Sequence, residues 1–155
     1  MYFFVIKRKR NNSALYDMQN LIVFTGGISM IELYNDNVNI VEISETEWDT
    51  FSVHVKTKKF SGKHNFCIEW NFLSQKIKDL ENLIEQLCGE CVIEDMDSDS
   101  YLNFSMKKYG KMTFSGRLGG THTNNYMVFE FMADQTIVQN LIVFLKTLDK
   151  SEAVH

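Results

Sequence analysis

Three short stretches carry residue types that could do chemistry. The first is Cys88-Gly89-Glu90-Cys91, a C-x-x-C with Cys67 and His64 as further candidate ligands. A structural zinc needs four nitrogen or sulfur ligands in a closed tetrahedron, usually from two paired motifs, and the second pair is missing. A redox C-x-x-C opens a helix, where the dipole lowers the thiol pKa; this one falls at a helix end, where the dipole acts in the opposite sense. It reads as two buried cysteines on either side of a C-capping glycine. The second stretch, Asp95-Met96-Asp97-Ser98-Asp99, begins like a calcium loop. Such a loop needs glycine at its sixth position and a bidentate glutamate at its twelfth, and here these are Ser100 and Met106. It reads as an exposed acidic turn that could form one wall of an interface. The third, Gly119–Asn125, has glycines and hydroxyls but links two predicted strands, whereas a phosphate loop leads into a helix N-terminus. His54, His64, His122 and His155 are scattered, and no nucleophile elbow, zinc-protease, phosphate-loop or dinucleotide pattern occurs. No catalytic residue, metal or cofactor is assigned, and the expectation is a protein that is not an enzyme.

Charge is segregated along the chain. The net charge is −4. Seven carboxylates and no Lys or Arg lie between Asn11 and Val55, and eight carboxylates and no Lys or Arg lie between Asp79 and Met106. The bases gather at Lys7–Arg10, Lys56–Lys63 and Lys107–Arg117. Fields of one sign steer partners of the other. Phosphate binding needs a basic face, so nucleic acid is not the expected ligand. The candidate interface residues are therefore acidic: Glu42, Glu45, Glu47 and Asp49 with the aromatic Trp48 among them, and Glu94, Asp95, Asp97 and Asp99. Large aromatics beside charges suit binding hot spots, although Trp48 also fits burial at a strand start.

These residues need elements to hold them. The 155-residue chain is 45% apolar and 13% aromatic, which suits one packed domain. No apolar run approaches the ~20 residues that span a bilayer, and the apolar-then-basic order of residues 1–10 reverses that of a secretory signal. Three cysteines, an odd number, argue against a disulfide framework. A cytoplasmic protein is expected, with no membrane partner. Met30–Leu33 and Val38–Ile43 flank a turn at Asn35-Asp36-Asn37. Phe51, Val53 and Val55 alternate with polar residues, Ser61-Gly62-Lys63 reads as a hairpin turn, and Phe66, Ile68 and Trp70 alternate again. Leu73, Ile77, Leu80, Ile84 and Leu87 then follow helical spacing, with Gly89 as the stop. Val92–Ile93, Tyr101–Met106, Met112–Leu118 and Tyr126–Met132 read as strands. A second helix follows Asp134, a good N-cap, and buries Val138, Leu141, Leu145 and Leu148. The fold class is α+β: two groups of antiparallel strands in hairpins or a meander, each followed by a helix packed on the sheet. Met30 looks like the domain start, which divides the chain into an extension over 1–29, a domain over 30–149 and a tail over 150–155.

The stretch from Met30 to about Leu148 resembles a bacterial immunity-protein family whose type member protects cells against the tRNA-cleaving toxin tip of wall-associated protein A. The resemblance lies in the strand Phe51–Val55, in FCIEWNFLSQKIKDLENLIEQL, and in FEFMADQTIVQNLIVFL, where Asp134-Gln135-Thr136 leads into Ile137 and Leu141. It implies a small cytosolic protein that binds the C-terminal domain of one cognate toxin and blocks its active site. Such toxins are often basic nucleases, which an acidic partner would suit. It implies no contact residues, so the acidic candidates stand on charge alone. Two rivals remain: a small-molecule or peptide-binding domain with a pocket between helices and sheet, and an enzyme whose polar residues assemble from distant strands. The oligomeric state is left open.

Overall fold

The computed structural model describes residues 23–25, 28–46, 50–107, 111–120 and 124–151. Two meanders, each closed by a helix, follow one another along the chain. The first is β1 (Val23–Thr25), β2 (Ile28–Asn35), β3 (Ile40–Glu45), β4 (Thr50–Lys56) and β5 (Ser61–Cys67), leading into α1 (Trp70–Gln86). The second is β6 (Gly89–Glu94), β7 (Tyr101–Lys107), β8 (Lys111–Gly119) and β9 (Tyr126–Ala133), leading into α2 (Thr136–Ser151). Neighbours in sequence are neighbours in each sheet, every pairing is antiparallel, and the orders are β1-β2-β3-β4-β5 and β6-β7-β8-β9. This is the α+β arrangement read from the sequence.

Alternation decides which face of each sheet turns inward. Ile31, Ile43 and Val53 share one cross-strand row, and all three are buried. In the second sheet Cys91, Phe104, Phe114 and Phe131 share another. Phe104 and Phe114 stack at 4.9 Å, and Phe114 meets Phe129 edge-on at 5.3 Å. Both inner faces feed one core, to which α1 gives Leu73, Ile77, Leu80 and Leu83, and α2 gives Val138, Leu141, Phe144 and Leu145. The helices pack on each other, α1 also against β6 and α2 against β2. Phe144 of α2 reaches the first sheet, edge-on to Phe51 at 6.1 Å.

Several local readings change. The expected boundary at Met30 falls inside β2, which begins at Ile28 and pairs with β1; residues 1–22 lie outside the described residues, as do 152–155. The β4–β5 turn is Thr57–Phe60, where the Thr57 amide donates to the Phe60 carbonyl at 2.8 Å and the Phe60 amide to Thr57 Oγ1 at 3.0 Å. The glycine of Ser61-Gly62-Lys63 had pointed to a turn, but all three residues are paired within β5. That strand ends at Cys67, so Trp70 opens α1 instead of continuing the strand. Leu87, at φ 52°, is the left-handed residue that ends α1, its amide bonded to the Leu83 carbonyl at 3.1 Å. Gly89, at φ 114°, starts β6 and caps nothing. Cys88 is therefore exposed, and only Cys91 is buried. Two turns stand as read. At Asn35–Asn39 the Asp36 carboxylate accepts the amides of Val38 (2.9 Å) and Asn39 (2.6 Å). At α2, Asp134 accepts the Thr136 amide at 2.8 Å.

Candidate functional site

The edge strand β9 of the second sheet lies across the first sheet. The inner side of Gly62 in β5 faces Met127 of β9 so closely that a Cβ there would lie 2.9 Å from Met127 Sδ. Farther along, β9 reaches β2: Phe131 stacks on Tyr34 at 4.8 Å, and the Tyr34 hydroxyl shares its one proton between Asp36 Oδ2 at 3.1 Å and the Met132 carbonyl at 3.3 Å. Strand β9 thus passes along the first sheet from β5 to β2. Strand β5 in turn passes the end of the second sheet. The Cys67 amide donates to Asp95 at 2.8 Å, and the Met96 amide donates to the Cys67 carbonyl at 3.0 Å.

Between these strand edges lies a groove of about 830 Å³. Its walls are consecutive residues, 60–64 on one side and 125–131 on the other, with Leu118 and Gly119 between them. Consecutive residues along a wall mean that main-chain edges form it, because one strand face would offer only alternate positions. The rim is apolar: Phe60 is 69% exposed, Val128 61%, and Tyr126 is exposed too. Lys63 and Glu130 line opposite walls, and neither has an ion-pair partner among the described residues. The Arg117 guanidinium sits 4.3 Å over the Tyr126 ring and 3.6 Å from Asp99.

At one end of the groove His64 joins a polar knot. Asp95 is only 6% exposed. It accepts from Ser98 Oγ and from the Cys67 amide, and its Oδ2 lies 3.1 Å from His64 Nε2. Ser98 Oγ is 3.0 Å from the same His64 nitrogen and 2.8 Å from Ser100 Oγ, which accepts the Gly119 amide at 2.8 Å. Burial opposes ionisation of Asp95, but the bonds from Ser98, the Cys67 amide and His64 outweigh it and hold the pKa below its ordinary value. Ser, His and Asp are the residue types of a nucleophilic triad, but the geometry differs. A triad uses one ring nitrogen for the serine and the other for the aspartate. Here both approach Nε2, and the serine proton goes to the carboxylate. The knot ties β5, the β6–β7 turn and the end of β8 together.

The acidic candidates divide. Asp95 is a correction: its carboxylate is spent inside the protein, so it cannot face a partner, and the turn that carries it is not exposed throughout. Glu94 and Asp97 are exposed, and so is Asp99, paired with Arg117. Glu42 lies on the outer face of the first sheet, held by Lys56 at 2.9 Å and His54 at 3.5 Å. Glu45 is half-buried at the end of β3. Glu47, Trp48 and Asp49 lie outside the described residues. Glu42 and Glu94 stand on the outer faces of different sheets, so these two described candidates do not share a sheet face. Sequence reasoning missed the groove and its Lys63, His64, Tyr126, Val128 and Glu130. The pocket lies between strand edges, not between helices and sheet. The one signal was Gly62, which close packing against Met127 requires.

Fold and groove together define an α+β domain with a cleft between two strand edges. Among the described residues no group of three His, Cys, Asp or Glu could hold a metal ion, and no helix is long and apolar enough to cross a membrane. Compared with known proteins, the chain matches no protein family and no curated protein.

Proposed function

We propose that this protein is a stoichiometric inhibitor, an immunity protein that binds the C-terminal domain of a cognate bacterial toxin in the cytoplasm. One observation carries the reading. The exposed acids Glu94, Asp97 and Asp99 and the exposed Met96 sit on the turn that is knotted, through Asp95, Ser98 and Ser100, to the end of an apolar-rimmed groove. Aromatic and apolar contact area beside charge is the composition of a protein interface. A basic toxin would be steered by the turn and held by the groove rim, which would occlude its substrate-binding face.

The test is co-expression with the product of the gene immediately upstream. Restored growth and a 1:1 complex on size exclusion are expected. Growth arrest in cells that hold folded, soluble protein would overturn the reading. A second reading, a peptide- or small-molecule-binding domain, draws its support from the groove itself. It predicts thermal stabilisation by small ligands and no protection from any toxin.

A further inference from the structure

We propose that the groove receives an extended segment of a protein partner, added as a fifth strand on the free edge of β9. The inference deepens the binding reading above and rests on its claim that the partner is a protein.

The direction of the backbone groups follows from one bond. The Met132 carbonyl points away from β8, toward the Tyr34 hydroxyl of the first sheet. Backbone groups in a strand alternate, so the N–H and C=O of Tyr126, Val128 and Glu130 point the same way, into the groove. Among the described residues β9 makes strand pairs with β8 alone, and no other backbone hydrogen bond reaches residues 125–131. Natural proteins blunt such edges with Lys, Pro or a cover. The outward positions of β9 instead carry Tyr126, Val128 and Met132, all exposed. The edge of β5 is managed: Asp95 and Met96 occupy its end at Cys67, and its exposed positions Ser61, Lys63 and Asn65 are polar. An incoming strand therefore finds its cross-strand apolar partners on β9.

Size and charge specify the occupant. A strand advances ~3.3 Å per residue, so a segment laid along Tyr126–Glu130 is about five residues long. Glu130 calls for a basic side chain on the added strand and Lys63, across the groove, for an acidic one, with an apolar residue beside Val128.

The experiment selects random seven-residue peptides displayed on phage against the full chain, then measures the winners by fluorescence anisotropy. Winners should lack proline, alternate apolar residues and carry both a base and an acid. Val128→Pro removes one outward N–H without touching the β8 ladder and should weaken binding by about tenfold. Should that variant misfold, Glu130→Lys serves: it should weaken peptides with a base and favour those in which the base is changed to an acid. No enrichment, binding indifferent to both variants, or a concentration-dependent dimer through β9 would overturn the proposal. The selection uses no toxin, so peptide binding without protection would sink the inhibitor reading and leave this one standing.

Discussion

The Asp95 carboxylate takes the place of a strand partner for Cys67, accepting its amide at 2.8 Å while the neighbouring Met96 amide donates to its carbonyl at 3.0 Å. Those two bonds end the edge of β5 and fix the β6–β7 turn against the first sheet. His64, Ser98 and Ser100 complete the joint, and through the Gly119 amide they reach the end of β8.

Removing that carboxylate takes from the Cys67 amide its acceptor at 2.8 Å and leaves the Ser98 hydroxyl to Ser100 Oγ. Asp95→Ala should cost about 2–3 kcal/mol in urea unfolding. The pH dependence has a definite sign. Because the folded-state pKa lies below the ordinary value of 3.8, the carboxylate's contribution is whole above that value and is lost as the pH falls through the folded pKa. The stability gap between wild type and Asp95→Asn should persist at neutral pH and shrink only below about pH 4. A gap that widened in acid would contradict the assignment.

Two glycines differ in what a methyl group would meet. At Gly116 it would lie 2.6 Å from the Tyr101 carbonyl oxygen and 2.7 Å from the Phe129 ring; at Gly62 it would meet the thioether of Met127. Backbone cannot step aside, whereas a methionine end can. Gly116→Ala should therefore destabilise by about 1–3 kcal/mol and Gly62→Ala by less. Met127→Ala should relieve Gly62→Ala, and Phe129→Ala should not rescue Gly116→Ala. Equal costs at the two positions in denaturant titrations would refute this packing account.

Periodicity carried most of the fold. Val41, Ile43, Val53 and Val55 alternate because one face of their sheet is buried, and Leu73, Ile77 and Leu80 repeat because one face of α1 is. Local turn chemistry was legible where a side chain bonds its own backbone, as at Asp36 and Asp134. It failed at Gly62, whose cause is a tertiary contact with Met127 sixty-odd residues away. The groove was invisible for the same reason. Residues 60–64 and 125–131 approach only after both meanders have closed, and nothing local marks an edge strand as open. Asp95 looked like its acidic neighbours because burial of one residue in a polar turn leaves no period to read.

Truncation tests the start of the domain. A chain beginning at Met30 loses β1 and the first two residues of β2 but keeps Ile31 and Leu33, the first described residues of the core. It should fold cooperatively with a loss of about 1–2 kcal/mol. A non-cooperative or unfolded product by circular dichroism would place essential core contacts upstream of Met30.

Charge reversal on the β6–β7 turn separates steering from folding. Reversing all four acids, Glu94, Asp95, Asp97 and Asp99, would unfold the joint through Asp95 and says nothing about binding. Glu94→Lys with Asp97→Lys changes only exposed carboxylates, neither of which holds an ion pair among the described residues, so the melting temperature should stay close to that of wild type. Rim charges act on association more than on dissociation. Against a basic toxin domain the double reversal should slow association severalfold in low salt, and the difference should fade as the Debye length shortens from ~30 Å at 0.01 M to ~10 Å at 0.1 M. Phe60→Ala, on the groove rim, removes apolar contact instead of charge. Its effect should appear in the dissociation rate and should hardly depend on salt. Stopped-flow association at several ionic strengths measures both. Unchanged association by the double reversal in low salt would remove the turn from the interface.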